Sequence, residues 1–196
     1  MFKQLALSSA MLLASLISPA AQAAPIVSLV ASAPSVTVGS NFTVSLRIEG
    51  VTDLFGWDAD LNFGPPALVG LLSQGTGSFF GGDDTFVAGS LDPLTGTIGY
   101  VGAALSGLTG ASGDGFLAEF TFTALMAGVM AMDFDRVSLI DSFGNDIFIE
   151  TSDRFGTRIT IAQANRVPVP GSLALGLLAL ALLPAAARRP VKSARS

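Results

Sequence analysis

The chain contains no cysteine and no histidine, one tryptophan (Trp57), one tyrosine (Tyr100), and only two lysines, Lys3 and Lys192, both in the terminal segments. Each absence removes a class of chemistry. Without histidine or cysteine there is no Ser-His-Asp triad, no thiol nucleophile, and no zinc or copper site of the usual ligand types. Without lysine between residues 24 and 167 there is no phosphate-binding loop of the Gly-Lys-Ser/Thr kind and no Schiff base. Among enzymatic mechanisms, carboxylate chemistry of the glycosidase kind remains. Charge is also scarce: 13% of residues are charged and 50% are hydrophobic.

Much of that apolar character lies at the two ends. The N-terminus, MFKQLALSSAMLLASLISPAAQAAP, begins with Lys3 and continues into a short apolar core from Leu5 to Ile17. It then presents Ala21-Gln22-Ala23, a small-x-small cleavage pattern. Residues 1–23 therefore read as a secretory signal peptide cut between Ala23 and Ala24. The C-terminal stretch VPVPGSLALGLLALALLPAAARR carries no charge from Val167 to Ala187, which is 21 residues. As a helix, that run would measure about 30 Å, the thickness of a bilayer's hydrocarbon. Pro168 and Pro170 favour an extended entry, so the helix is expected over 171–187. Arg188, Arg189, Lys192 and Arg195 follow with no acidic residue among them. By the positive-inside rule, residues 188–196 stay in the cytoplasm and the helix stops transfer at the inner membrane. Leucine and alanine cover every face of the run, so it lacks the polar stripe of a surface helix.

The middle of the chain is acidic. All 15 Asp and Glu residues fall between Glu49 and Asp153, against five arginines (47, 136, 154, 158 and 166) in residues 24–167, a charge of −10. Nucleic acid is excluded as a partner, because binding it requires neutralising phosphates. Divalent cations, a basic protein or a neutral polymer stay open.

No long helical period runs through residues 26–161. Short alternating runs separated by Gly, Asp, Pro and Ser dominate: PIVSLVAS, SVTVGSNFTVSLRIEGV, LFGWDADLNFGPP, ALVGLLS, TFVAGSL, GTIGYVGAAL, DGFLAEFTFTAL, GVMAMDFDRVSLI, NDIFIE and GTRITIA. About nine or ten strands at this spacing imply an antiparallel sandwich or jelly roll. In LFGWDADLNF the alternation puts Phe55, Trp57, Ala59, Leu61 and Phe63 on one face and Asp58, Asp60 and Asn62 on the other. Two carboxylates on an outward face suit a solvated sheet surface first, and a catalytic or cation-binding pair second. Asp133 and Asp135 repeat the pattern.

Asp83-Asp84 in FFGGDDTF, and Asp141, Asn145 and Asp146 in DSFGNDIF, sit in loops of the oxygen-rich kind that calcium favours. Neither has the spacing of a calcium loop, and aspartate is common in turns. No cofactor is otherwise implied. Sugar binding needs exposed aromatics. Trp57 alternates with apolar neighbours and reads as core, which leaves Tyr100 and the pair Phe79-Phe80 in GSFFGG as the aromatic candidates.

Four segments in this order, SVTVGSNFTVSLRIEGV, DLFGWDADLNFGPPALVGL, GTIGYVGAALSG and SGDGFLAEFTFTALMAG, resemble the cohesin domain. The likeness covers about residues 26–162. It implies an all-β, nine-stranded antiparallel jelly-roll sandwich of the carbohydrate-binding-module superfamily over residues 24–163. It also implies a non-enzymatic role, with a dockerin-like protein or an exopolysaccharide as partner. In cohesins the strand carrying Asp58 belongs to the face that docks the dockerin, and Asp58 matches an acidic or polar contact position. Proline-x-proline, an apolar segment and terminal arginines resemble the PEP-CTERM sorting signal, with residues 164–170 as the linker. Val169 stands where that family has glutamate, so the motif here is Val167-Pro168-Val169-Pro170. This second resemblance implies processing by an exosortase-like membrane protease in a Gram-negative bacterium that makes exopolysaccharide. The expected product is an exported envelope or matrix protein, held at the membrane at least transiently.

Overall fold

A computed structural model describes residues 24–149 and 154–164. Expectations for Ala21 and Ala23, the Pro-Val-Pro motif, the helix at 171–187 and the basic tail fall outside these residues. Among the described residues no helix is long and apolar enough to cross a membrane.

Eleven strands form one hydrogen-bonded network: β1 (Ile26–Ala31), β2 (Ser35–Thr37), β3 (Asn41–Gly64), β4 (Val69–Thr76), β5 (Asp84–Val87), β6 (Ser90–Asp92), β7 (Thr97–Leu105), β8 (Ala111–Ala124), β9 (Gly128–Asp141), β10 (Arg154–Phe155) and β11 (Thr157–Ala162). The network makes two layers because β3, 24 residues long, belongs to both. Its residues 41–48 pair with β1 and β8, and β8 pairs with β4. Its residues 54–64 pair with β7 and β9; β7 pairs with β5 and β6, and β9 with β11.

Gly50 (φ 68°) and Asp53 (φ 56°) turn β3 from one layer into the other. Asp53 fixes the bend. Its Oδ1 accepts the Gly110 N–H at 2.9 Å and its Oδ2 the Ser142 hydroxyl at 2.7 Å, tying in the loops after β7 and β9. Asp114 Oδ1 accepts the Gly50 N–H at 2.7 Å from a third side.

The period-two pattern explains the core. Val44, Leu46 and Ile48 of one layer face Trp57, Ala59, Leu61 and Phe63 of the other, with Phe120, Phe122, Met130, Met132, Leu139 and Ile159 filling the space between. Phe122 stacks on Phe42 (centroids 5.6 Å apart) and meets Phe63 edge-on at 5.4 Å. Burying these faces is what drives the layers together.

The all-β sandwich expectation holds, and four details differ. Two pairings are parallel, β1 with β10 and β2 with β11. RIEGV and LFGW continue one strand rather than starting two. NDIFIE is not a strand in its described part. Asp146 makes a single bridge to Ile140, because Asp141 closes a turn by accepting the N–H groups of Phe143 and Asn145. Phe55 leaves the apolar face. A register shift between Leu54 and Gly56 makes it the extra residue of a bulge, so Leu54 is buried and Phe55 half-buried.

Candidate functional site

The outward side of residues 54–64 in β3 is the centre of the second layer's exposed face. Asp58 lies opposite Gly102 of β7 and Ser138 of β9, and Gly56 opposite Ala104 and Ile140. Asp58, Asp60 and Asn62 point outward as the alternation requires, and Trp57 is buried on the other side.

Two bulges shape what surrounds them. On β7, Ala59 pairs with Val101 and Leu61 with Ile98, which leaves Gly99 and Tyr100 opposite Asp60. Tyr100 takes φ 56° there, and its N–H donates to Asp60 Oδ1 at 2.6 Å. A tyrosine in the left-handed region is strained, and this bond compensates for part of that strain. The ring is left 63% exposed. On β9, Asp60 pairs with Arg136 and Leu61 with Phe134, so Asp135 is the extra residue. Its Oδ1 accepts an Asn62 Nδ2–H at 2.6 Å.

The second bulge brings out Arg136. Without it, strict alternation from Asp133 and Asp135 would turn Arg136 inward. Instead its Nε donates to Asp60 Oδ2 at 2.9 Å and its Nη2 pairs with Asp58 Oδ1. The Tyr100 N–H first, and Arg136 second, hold the Asp60 carboxyl below its ordinary range, while Asp60 holds the Arg136 guanidinium above its own. Sequence reasoning found Asp58, Asp60 and Asn62 and missed Arg136. The only available signal was the Asp-x-Asp-Arg order itself.

Beside this charged cluster runs a shallow trough of about 270 Å³. Gly56, Gly102, Ala104 and Ser138 form its floor, with Val87, Tyr100 and Ile140 around it. A Cβ at Gly102 would come within 2.6 Å of the Trp57 carbonyl oxygen. The strands pass too closely for a side chain, so the floor stays flat and low.

The other sequence candidates lie elsewhere. Phe79 and Phe80 are not a surface patch. Phe80 is buried, Phe79 packs on the core, and their rings touch each other at 5.4 Å. Asp84 Oδ2 accepts the Thr76 hydroxyl at 2.7 Å, and Asp83 is exposed. Asp141 spends its oxygens on Phe143, on the Asn145 backbone N–H and, at 2.9 Å, on Asn145 Nδ2; Asp146 is exposed. Asp141 closes a turn and Asp84 ties β5 to β4, and among the described residues no three acidic side chains converge as a metal-ligand set would.

No protein-family model matches the chain, and no curated protein does. Solved structures do. A type II cohesin domain from the cellulosome of Acetivibrio cellulolyticus superposes with a TM-score of 0.60 at 17% identity, over 70% of this chain and 95% of that one. A non-cellulosomal cohesin from the archaeon Archaeoglobus fulgidus gives 0.58 at 20% identity, over 71% and 92%. The sixth cohesin of an Acetivibrio cellulolyticus scaffoldin, solved in complex with a dockerin, gives 0.54 at 13% identity, over 72% and 100%. The fold of the described domain is cohesin-like.

Proposed function

We propose that this protein is a non-enzymatic interaction module of the cell envelope, and that it captures a dockerin-like protein partner on the outer face of its second layer. One observation carries the reading. The face joins a flat, glycine-floored apolar trough to a fixed charged cluster, Asp58–Arg136–Asp60. The trough offers area for an apolar anchor, and the cluster offers orientation. The same cluster argues against hydrolysis. Arg136 pairs with both carboxylates, whereas a glycosidase sets its acid carboxyl in surroundings that disfavour the charged form.

The terminal segments fit the same reading. The signal peptide exports the domain, and the apolar tail holds it at the inner membrane until an exosortase-like protease processes it near Pro170. The mature protein then joins the envelope or an exopolysaccharide matrix.

The test is calorimetric titration of the full chain with dockerin modules from the source organism. Wild-type binding should be lost in Val87→Asp and in Tyr100→Asp, both exposed positions, with the circular dichroism spectrum unchanged. Binding that survives both changes sinks the assignment of this face. The mature mass from envelope fractions tests the tail: a protein that keeps Arg188 and Arg189 is simply anchored.

Tyr100 also favours a second reading, a carbohydrate-binding module, because an exposed ring beside carboxylates can stack on a sugar. Under that reading Tyr100→Ala weakens retention on the cell's own exopolysaccharide, and no dockerin binds.

A further inference from the structure

The two ends of the sandwich differ in charge. One end is the bend, where Ala24 enters beside Gly50 and Asp53. The other is the β8–β9 hairpin, where β11 finishes at Ala162. Among the uncharged stretches of the chain are 24–46, 61–82, 93–113, 120–132 and 159–165. Hydrogen bonds bring part of each of these five to the hairpin end, while the far part of 93–113, with Leu108 and Gly110, reaches the bend. The Gly39 N–H donates to the Ala124 carbonyl at 2.8 Å, Val38 N–H to Ala162 at 2.9 Å, Leu125 N–H to Leu68 at 2.7 Å, and Phe63 N–H to Gly96 at 2.7 Å. Leu72, Leu94, Leu125, Met126 and Val129 are exposed in these same stretches, Leu94 at 88% and Met126 at 56%.

We propose that this uncharged end is a membrane-facing surface that lies against the headgroups and upper acyl chains of an anionic phospholipid bilayer. The proposal rests on reading residues 171–187 as a membrane segment. Three observations select lipid as the occupant.

The first is charge. A domain with fifteen carboxylates is repelled by an anionic surface and can approach it only through an end that lacks them. The nearest described carboxylates, Asp92 and Asp133, stand level with Asn62, two residues back from the end of β3. Asp92 is folded onto its own turn, with Oδ1 accepting the Leu94 N–H at 2.9 Å. The nearest described cation, Arg158, is exposed opposite Ala131, and Arg166 follows in sequence; both signs suit anionic headgroups.

The second is chain length. Four residues separate Ala162 from Val167, where the uncharged run begins, a reach of at most about 18 Å over five steps.

The third is the chemistry of the exposed side chains. Leu94, Leu125 and Met126 on turns, with Leu72 and Val129 exposed on the strands beside them, suit the interfacial region of a bilayer.

The absence of cysteine makes the test direct, because single cysteines can be introduced without background. The full chain is reconstituted into vesicles of phosphatidylcholine and phosphatidylglycerol, with one nitroxide label at Leu94→Cys, Met126→Cys, Leu108→Cys or Phe143→Cys. Leu108 and Phe143 are strongly exposed, at 93% and 85%, in loops at the bend end. We expect the labels at 94 and 126 to lose most of their accessibility to a water-soluble relaxation agent and to gain accessibility to oxygen, while those at 108 and 143 keep solution values. If the chain floats with vesicles but all four labels stay in water, or those at 108 and 143 are the protected pair, the membrane-facing surface is wrong and the anchor stands. If the chain does not float with vesicles, both fall.

Discussion

Asp60 and Tyr100 are joined across a bulge: the Asp60 carboxylate accepts the Tyr100 backbone N–H at 2.6 Å, forty residues away in sequence. The bond holds Tyr100 in a backbone conformation that tyrosine disfavours, and so it sets where the exposed ring points. It also ties folding to the ionised state of Asp60. The folded carboxyl titrates below its ordinary value, so its contribution to stability is complete above the unfolded pKa, about 3.9. It is lost as pH falls through the folded value. Asp60→Asn should therefore lower Tm at neutral pH, and the gap from wild type should close as pH falls below about 4. Asp92 and Asp141 are held low by their own turns and will keep a residual acid slope in both proteins. A gap that persists unchanged at pH 3 contradicts this account; melting curves across pH measure it.

Gly102 is required by a close approach. Its Cβ would sit 2.6 Å from the Trp57 carbonyl oxygen, in a central strand pair that cannot separate locally. We expect Gly102→Ala to destabilise by about 1–3 kcal/mol, the usual cost of forcing an extra methyl into packed structure. Gly75 is the control. It lies in a strand, and a Cβ there would have nothing within 4 Å, so Gly75→Ala should be neutral or slightly stabilising. Urea denaturation of the two variants settles the comparison.

What could be read in the sequence follows the range of the interaction that fixes it. Trp57, Ala59, Leu61 and Phe63 were legible as core because alternation is a property of one strand, and the same pattern placed Asp58 and Asp60 outside. Phe55, Tyr100 and Arg136 were not legible in the same way. Each owes its position to a bulge, and a bulge is a property of two paired strands that neither strand shows alone. The parallel pairing of Arg154-Phe155 with β1 was hidden for a related reason. It joins segments more than a hundred residues apart, through two side chains with no pattern of their own. Phe79 and Phe80 misled as a surface candidate because loop glycines around them suggest exposure. In fact the loop folds back, with the Phe79 N–H bonded to the Phe116 carbonyl at 2.9 Å.

Gln74 ties the free edge of β4 to the opposite layer. Its Nε2 donates to the Gly89 carbonyl at 2.9 Å, and its Oε1 accepts the Gly89 N–H at 2.8 Å. The amide thereby stands in for a strand residue at the break between β5 and β6. Both bonds are partly shielded from water, so Gln74→Ala should cost about 1–2 kcal/mol, two net hydrogen bonds. Gln74→Glu keeps the acceptor and loses the donor, and should fall between. Equal stability of all three proteins in chemical denaturation would remove Gln74 from any role at the edge.

Arg136 holds apart two carboxylates that alternation places on the same face. All three side chains reach solvent, so the pairs themselves stabilise the fold by under about 1 kcal/mol. The larger consequence is electrostatic. Arg136→Ala leaves Asp58 and Asp60 side by side without a counter-ion, which removes one of the causes that hold the Asp60 carboxyl low and makes the face more negative. We expect a modest loss of Tm at neutral pH, smaller in high salt, and largely reversed by adding Asp58→Asn to the Arg136→Ala background. Arg136→Lys should restore the charge but not the fork that reaches both carboxylates at once, so it should recover part of the Tm. This double-mutant comparison separates repulsion from lost packing. If Asp58→Asn does not rescue Arg136→Ala, the guanidinium acts mainly through its contacts with the sheet surface, and the charged end of the trough is not set by the balance of these three side chains.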